Sequence, residues 1–220
     1  MRLFKSRRTS LPKLHNQRVI SRLVIATHNR KKAGEMVTIL SRRFPTLEIL
    51  TLADFEGAPE PEETGSNYVE NASIKAESAC EFTGEWCLAD DAGLEVDALD
   101  GAPGLYSKRF GGEDLPFPEK MALILDGLAG REDRGARFRC VVALARPGFE
   151  TVCFEATCEG EIGQSPSGSG GFGYDPIFYL PSMGCTMADL TAEQKHAISH
   201  RGKVLAAFGD WLEQSFVDED

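Results

Sequence analysis

The 220-residue sequence lacks several features that would assign it to common classes of protein. No apolar run approaches the roughly 18 residues that span a bilayer, and the N-terminus lacks the apolar core of a secretory signal. We therefore expect a cytoplasmic protein with no membrane partner. The six cysteines form no Cys-x-x-Cys pair, which favours reduced, buried thiols. His196 and His200 have i, i+4 spacing, but no Cys or Glu completes a zinc pattern around them.

The sequence is also short of basic residues outside its N-terminus. The formal net charge is -10, yet residues 1–22 carry seven of the 24 basic side chains and no acidic one. Elsewhere 17 basic side chains face 34 acidic ones, so the body of the protein should repel nucleic acid, and we expect no nucleic-acid partner. We interpret residues 1–21 as a basic, disordered leader, with a targeting segment or a mis-assigned start as the alternatives, and residues 22–217 as a single domain.

Apolar periodicity and turn residues predict both strands and helices along the chain. Strands are predicted at 23–26, 47–52, 86–89, 94–98, 136–145, 151–159 and 177–180. Helices are predicted at 32–43, 66–83 and 116–128, after a capping box at 191–194, and over a final segment whose core positions are Val204, Leu205, Phe208, Trp211, Leu212 and Phe216. The predicted apolar sides of the second and third helices include Val69 and Leu123. Because 136–145 and 151–159 form a predicted hairpin, we expect a mixed sheet.

The most informative stretch is 88–98, in which a short apolar run stops at two adjacent carboxylates, Asp90 and Asp91. We interpret it as a strand, a turn and another strand, with both carboxylates at the bend. Two negative charges this close repel each other unless a cation or proton intervenes, and oxygen ligands favour magnesium. A carboxylate beside the metal can take a proton from water. The alternative is an acidic turn in contact with solvent.

Two further stretches carry cations suited to an anionic ligand. The buried strand 23–26 runs into the basic loop 27–32 just before a predicted helix, where backbone N–H groups and the helix dipole favour negative charge. This loop lacks the glycines and the Gly-Lys-Ser/Thr ending of a Walker loop, so the pattern alone is weak. Lys75 projects from a polar stripe of the helix at 66–83, and an ordinary surface lysine is the alternative.

A glycine-rich stretch at 165–176 contains two aromatic side chains and a carboxylate, in the order Phe172-Gly173-Tyr174-Asp175. We interpret it as a loop that lets an aromatic ring lie against a flat ligand, and aromatic residues of the core are the alternative. Three further polar residues follow the capping box, near the start of the last helix: Lys195, His200 and Arg201.

Seven short motifs follow one another along the chain: Ala26–Lys32, Glu62–Gly65, Glu70–Ala72, Asp90–Leu94, Pro103–Ser107, Gly171–Pro176 and Ile198–Arg201. Together they resemble the inosine/xanthosine triphosphate pyrophosphatase family, which acts on non-standard purine nucleotides, dITP and XTP among them. The resemblance covers roughly residues 22 to 216. Any one motif is weak, whereas seven in the same order are highly specific.

The resemblance implies an elongated α/β fold, in which helices flank a central mixed β-sheet and two lobes enclose a cleft. It also implies a homodimer. The expected activity is hydrolysis of inosine, deoxyinosine and xanthosine triphosphates to the monophosphate and pyrophosphate, with Mg²⁺ as cofactor. The expected partner is thus a small nucleoside triphosphate substrate.

The resemblance assigns roles to residues as well. Asp91 matches the catalytic general base and a magnesium ligand, with Glu63 as the second ligand and Asp90 as an acidic neighbour. The triphosphate would be bound by Thr27, His28, Asn29, Arg30, Lys31, Lys32 and Lys75. Phe172 would stack on the base, and the other residues around it would be Gly173, Tyr174, Asp175, Lys195, His200 and Arg201.

Two positions depart from the family pattern. The serine that usually follows the two aspartates is Ala92 here, so a hydroxyl that would help to hold substrate or a metal-bound water is missing. Lys108 stands where many relatives carry alanine, and its side chain either adds a phosphate contact or lies on the surface.

Two other functions stay open at this point. One is a non-catalytic sensor that binds purine triphosphates in the same cleft, although a sensor would not need the base Asp91. The other is a pyrophosphatase with a different nucleotide specificity. His200 and Arg201 speak against indifference to the base, because hydrogen-bond donors there would prefer a 6-oxo acceptor to a 6-amino donor.

Overall fold

The computed structural model describes residues 20–217, with side chains as far as Ser215. Residues 1–19 of the predicted leader, and the side chain of Phe216 that we expected in the core, lie outside this described part. Within residues 20–217, no helix combines the length and the apolar character needed to cross a bilayer.

The chain between residues 20 and 217 contains both strands and helices, as predicted. The strands are β1 (Arg22–Ile25), β2 (Glu48–Thr51), β3 (Trp86–Val96), β4 (Gly135–Arg146), β5 (Phe149–Ile162), β6 (Phe178–Leu180) and β7 (Cys185–Thr186). The helices are α1 (Arg30–Arg43), α2 (Tyr68–Thr83), α3 (Phe117–Gly127), α4 (Ala192–Ile198) and α5 (His200–Val217). Short 3₁₀ turns, among them Gly104–Tyr106, connect several of these elements.

The strands form one mixed sheet in the order β2-β1-β3-β4-β5-β6-β7. β1 is parallel to both β2 and β3, with α1 and α2 as the crossover helices that parallel neighbours require. From β3 to β7 each neighbouring pair is antiparallel. The predicted mixed α/β fold is therefore confirmed.

The predicted strand–turn–strand at 86–98 is wrong, because β3 runs without interruption from Trp86 to Val96. It pairs with β4 along its length, so Asp90 lies opposite Val142 and Asp91 opposite Val141. Gly93 does not mark a turn. A Cβ there would lie 2.2 Å from the carbonyl oxygen of Gly104, so this glycine allows the segment after Gly101 to pack directly on the strand.

Helices cover both faces of the sheet. On one face, Leu88 and Leu144 pack against α1 and α5. On the other face, Ala89 and Val141 pack against α2. A third apolar cluster surrounds α3 and contains Leu94 and other residues from the far half of the sheet. Two residues placed on apolar helix sides are instead largely exposed, Val69 at 43 % and Leu123 at 44 %.

Local sequence signals fix several helix ends. Asn29 caps α1, and its side chain accepts hydrogen bonds from two backbone N–H groups of the first turn. Gly84 ends α2 in the left-handed conformation, with φ of 72°. Thr191 and Gln194 form the predicted capping box at the start of α4. These ends place the loops that carry the polar residues.

Candidate active site

Two consecutive aspartates of β3 lie on opposite faces of the sheet. Side chains alternate along a strand, so Asp90 shares the face of Leu88 and Asp91 that of Ala89. Asp90 therefore meets side chains from α1 and α5, whereas Asp91 meets side chains from α2. The pleat of the strand, rather than a shared cation, keeps the two carboxylates apart.

Asp91 contacts two polar side chains of α2. Lys75 Nζ lies 2.9 Å from Asp91 Oδ1, and Asn71 Nδ2 donates a hydrogen bond of 3.4 Å to Asp91 Oδ2. Burial raises the pKa of Asp91, and the attraction of Lys75 only partly offsets this effect. A higher pKa makes a carboxylate a better proton acceptor, as a general base requires.

Lys75 bridges two carboxylates, because its Nζ also lies 2.9 Å from Glu63 Oε1. Burial alone would lower the pKa of Lys75, but Asp91 and the other nearby acids outweigh burial and raise it. Burial alone would raise the pKa of Glu63, but Lys75 and two further cations hold it below its usual range. Lys75 and Glu63 are therefore both charged at neutral pH.

Asp90 is buried and binds cations from two helices. Its Oδ2 accepts hydrogen bonds from Arg201 Nη2 at 2.7 Å and Nε at 3.2 Å, and lies 3.3 Å from Lys32 Nζ. Burial alone would raise the pKa of Asp90, but Lys32 and Arg201 outweigh it and hold this pKa well below the usual range. Asp90 thus stays ionised and joins β3 to α1 and α5.

The loop before α1 is held by hydrogen bonds to its own side chains. Asn29 Oδ1 accepts hydrogen bonds from the backbone N–H groups of Lys31 and Lys32, at 3.1 and 3.2 Å. Thr27 Oγ1 accepts one from the backbone N–H of Asn29, at 3.2 Å. Two donors of the helix N-terminus are thus already satisfied, so an anion would meet mainly lysine side chains here.

Three basic or polar side chains of this loop and the first turn of α1 face solvent. His28 is exposed, and its Nε2 lies 3.1 Å from the carbonyl oxygen of Pro59. Arg30 and Lys31 are exposed as well, and neither side chain has an ion-pair partner between residues 20 and 217. Their charges are therefore available to a ligand.

A second charged cluster lies where α4 meets α5. Lys195 Nζ lies 2.7 Å from Asp175 Oδ2 and 2.7 Å from Glu35 Oε1. Glu35 Oε2 accepts a hydrogen bond of 2.8 Å from Arg201 Nη1. The half-buried ring of Phe172 faces both cations, with its centre 4.5 Å from Lys195 Nζ and 5.7 Å from Arg201 Cζ. An aromatic ring and two fixed cations thus converge, as recognition of a flat polar ligand requires.

Asp175 fixes the loop that carries this ring. Its Oδ2 accepts a hydrogen bond of 2.7 Å from the backbone N–H of Phe172. Burial raises the pKa of Asp175, although Lys195 partly offsets this effect. Gly171 has a φ of 67°, and a Cβ there would lie 2.1 Å from Asp175 Oδ2, so the loop requires glycine. Gly173 also has a positive φ, of 68°.

Two further predicted substrate-binding residues, Tyr174 and His200, are buried and contact groups of the protein itself. Tyr174 donates a hydrogen bond of 2.9 Å from its hydroxyl to the carbonyl oxygen of Ser107, so it packs as the core alternative predicted. His200 stacks on Phe138, with ring centres 4.7 Å apart. Burial lowers the pKa of His200 well below its usual value, and Arg201 lowers it further, so the imidazole is neutral at pH 7. Its Nδ1 has no hydrogen-bond partner in the described part of the chain.

Glu35, which binds the cations Lys195 and Arg201, was not predicted from the sequence as a site residue. Since Arg201 also binds Asp90, the chain of contacts runs from the aromatic loop to β3. One signal was available, because Glu35 follows Lys32 by three residues and therefore lies near it on the surface of α1. The contact with α4 and α5 could not be read from the sequence.

Ala92 lies on the same face of β3 as Asp90. Its methyl group packs against the apolar cluster that surrounds α1 and α5. The position is therefore partly buried between strand and helices rather than beside Lys75 and Asp91.

Residues 20–217 contain no group of three His, Cys, Asp or Glu side chains placed to hold a metal ion by themselves. Glu63 and Asp91 nevertheless converge on one ammonium, that of Lys75. Magnesium in nucleotide enzymes usually takes one or two carboxylates together with phosphate and water oxygens. These oxygen donors therefore fit magnesium that binds together with a phosphate ligand.

Known proteins resemble this chain over most of its length. A dITP/XTP pyrophosphatase from Exiguobacterium sibiricum is 48 % identical over 186 residues, which are 84 % of this chain and 93 % of that protein. A dITP/XTP pyrophosphatase from Geobacillus kaustophilus is 46 % identical over 194 residues, which are 87 % of this chain and 94 % of that protein.

Solved structures agree with the sequence relatives. The Ham1 protein of Staphylococcus aureus has a TM-score of 0.80 and 39 % identity, over 88 % of this chain and 98 % of that chain. The HAM1 protein of Coxiella burnetii has a TM-score of 0.80 and 41 % identity, with the same shares of both chains. The sequence profile of the Ham1 family matches residues 23–211. By sequence and by structure, this chain belongs to the Ham1 family.

Proposed function

We propose that the protein hydrolyses inosine, deoxyinosine and xanthosine triphosphates to the monophosphate and pyrophosphate, and so removes them from the nucleotide pool. The observation that carries the proposal is the position of Lys75, which holds the buried base Asp91 and the carboxylate of Glu63 together. The relatives named dITP/XTP pyrophosphatase support the same activity.

In this proposal Asp91 takes the proton of the water that attacks the phosphorus. Its raised pKa suits that task, since the ideal base has a pKa nearer the working pH than an exposed aspartate has. Asn71 donates a hydrogen bond to Asp91 Oδ2 and so holds the carboxylate in one orientation. The other oxygen, Oδ1, can then exchange its contact with Lys75 for one with the water.

The triphosphate would bind to cations from two helices. Lys75 and Lys32 are now paired with carboxylates, and a phosphate that carries several negative charges competes for both. The exposed side chains of Arg30 and Lys31 add positive charge beside them. Thr27, His28 and Asn29 shape this loop. Positioning and charge stabilisation of this kind provide most of the catalysis in phosphoryl transfer.

The base would stack on Phe172, with the polar edge toward Lys195, His200 and Arg201. Each of these residues offers N–H donors, and none can accept a hydrogen bond from a 6-amino group except the neutral imidazole. A 6-oxo purine is therefore favoured over adenine, because an amino group would leave donors facing each other in a dry pocket. Mismatches of this kind can discriminate by about 10⁴-fold.

Magnesium would be held by Asp91 and Glu63 and, when bound, would polarise the phosphoryl oxygens. We further propose a homodimer, a cytoplasmic location and a single two-lobed domain over residues 22–217. The magnesium site, the homodimer and the two lobes rest on the resemblance to the pyrophosphatase family described above. The cytoplasmic location and the single domain rest on the sequence expectations given above.

The test is pyrophosphate release from inosine, xanthosine, adenosine and guanosine triphosphates with Mg²⁺. Asp91→Asn removes the base and should lower kcat by about 10²–10⁴-fold. Asp97→Asn is the matched control, because Asp97 follows the same strand but pairs with Arg137 on the surface, and it should keep wild-type turnover.

Three results would count against the proposal. Tight binding of inosine triphosphate without release would favour the sensor. Equal turnover of all four nucleotides would show that the protein does not select among purine bases. Full activity of Asp91→Asn would show that another group takes the proton.

A further inference from the structure

Lys120 of α3 is a buried lysine whose charge the mechanism does not use. It is 1 % exposed, and its Nζ donates a hydrogen bond to the carbonyl oxygen of Lys108. The same ammonium lies 5.7 Å from the centre of the Phe117 ring. Among residues 20–217, no carboxylate lies within ion-pair distance of it. Burying an unpaired charge is costly, so the contacts of this ammonium call for an explanation.

The segment that Lys120 binds is fixed from several sides. The carbonyl of Lys108 accepts from Lys120, and the preceding carbonyl, of Ser107, accepts from the hydroxyl of Tyr174 at 2.9 Å. The side chain of Ser107 accepts a hydrogen bond of 2.9 Å from the backbone N–H of Leu94 in β3. Two successive carbonyls are thus held by donors from two different elements, and the segment is tied to the catalytic strand.

The next residue, Arg109, extends from this fixed backbone toward the catalytic carboxylates. Its Nη1 lies 3.7 Å from Glu63 Oε2, and its guanidinium carbon lies 5.0 Å from the centre of the Tyr106 ring. Its backbone N–H donates to the carbonyl oxygen of Tyr106 at 2.9 Å. Glu63 in turn shares Lys75 with Asp91.

We propose that Lys120 is a positioning residue: by fixing the Lys108 carbonyl it holds Arg109 on Glu63 and so maintains the Glu63–Lys75–Asp91 arrangement. Lys120 touches neither substrate nor the reacting atoms. Its effect passes through Arg109, which is why the ammonium is retained at a position where an apolar side chain would pack at lower cost. The inference rests on the proposed pyrophosphatase function for its kinetic consequence, but not for its structural one.

The test compares Lys120→Met, Arg109→Met and the double variant in the full-length protein. Lys203→Met is the matched control, since Lys203 Nζ also donates to a backbone carbonyl, that of Thr157, but on the surface. Two quantities are measured: steady-state kinetics with inosine triphosphate, and amide hydrogen exchange over residues 107–112.

If Lys120 acts through Arg109, each single variant should lower kcat about tenfold with KM within about twofold, and the double variant should lose no more than either one. In Lys120→Met, the backbone amides of Arg109 and Gly112 should exchange faster. These amides donate to the carbonyls of Tyr106 and Arg109, in turns next to the Lys108 carbonyl, which loses its hydrogen bond from Lys120. Lys203→Met should match the wild type in both measurements. If Lys120→Met folds poorly, Lys120→Gln gives the same readouts with smaller changes.

A purely structural role would lower the melting temperature of Lys120→Met and leave kcat and the exchange at 109–112 unchanged, which would overturn the proposal. So would losses in kcat that multiply in the double variant, because the two residues would then act independently. A wild-type protein that releases no pyrophosphate would refute the proposed function instead. Hydrogen exchange would still report whether Lys120 fixes the segment.

Discussion

The two ends of the candidate active site hold their charges in different ways. At the Asp91 end, Lys75 and Glu63 are partly open to solvent, with Glu63 at 28 % side-chain exposure. At the Phe172 end, Lys195 and Arg201 are almost fully enclosed, with Arg201 at 2 %. Ion pairs near solvent exchange partners at low cost, whereas enclosed pairs do not. The first end is therefore suited to a change of partners during reaction, and the second to a fixed shape that recognises a ligand.

The two adjacent aspartates differ in the same way, both in their pKa shifts and in their ionic contacts. Asp91 has a raised pKa and few partners, so its proton affinity can serve chemistry. Asp90 has a depressed pKa and holds Arg201 and Lys32, so its charge serves structure. Adjacent residues of identical type are thus suited to different tasks, because the pleat turns them toward different helices.

The largest expected effect comes from removing one cation at each end. Arg201→Met leaves Asp90 and Glu35 buried without their main partner and should lower the free energy of unfolding by about 3–5 kcal/mol. Lys75→Met should lower it by clearly less, because Glu63 can reach water. Urea denaturation at pH 7 measures both values. Equal losses would mean that enclosure does not distinguish the two ends.

A smaller effect is expected from removing the aromatic ring. Phe172→Ala should raise KM for inosine triphosphate about 10- to 100-fold, since stacking of a base on an aromatic side chain contributes about 1–3 kcal/mol. We expect kcat to change little, because the ring lies at the recognition end. Phe149→Ala, at an exposed phenylalanine in the β4–β5 hairpin, is the control. A fall in kcat at constant KM would contradict the assignment of Phe172 to ligand recognition rather than to catalysis.

The smallest effect is a shift in the pH dependence. Asp91 must be ionised to act as base, so kcat/KM should fall as the pH drops through the pKa of Asp91, which burial raises above the usual range of an aspartate. Lys75 favours the ionised form of Asp91. Lys75→Met should therefore move the acidic limb of the kcat/KM profile to higher pH, whereas Phe172→Ala should leave this limb in place. Profiles of kcat/KM against pH for the three proteins test this. A limb that moves to lower pH in Lys75→Met would contradict the assignment.

Local signals in the sequence predicted most of the elements but failed where packing decides. The capping box at Thr191 was predicted, because it depends on a few neighbouring residues, and the caps at Asn29 and Gly84 are equally local. The prediction of a bend at Asp90 and Asp91 was wrong, because two carboxylates and a glycine indicate a turn only when no neighbouring strand pairs with them. Here β4 pairs with every residue from Cys87 to Val96.

The candidate site divides in the same way. The motif residues around Asp91, Lys75 and Phe172 were predicted in advance, and the structure brings them to the two clusters described above. Glu35 and Lys120 were not, since each owes its role to contacts with elements far along the chain. Nothing local distinguishes a glutamate that bridges Lys195 and Arg201 from one in solvent.

By itself, the sequence determined which chemical groups are present, the positions of most strands and helices, and the order of the motifs. Only the tertiary structure decided which face each carboxylate occupies and which cations meet it. The physical reason is range: capping and periodicity act within a few residues, whereas ionisation depends on burial and on charges brought close from distant segments. Asp90 and Asp91 carry the same side chain, and the fold gives them pKa shifts in opposite directions.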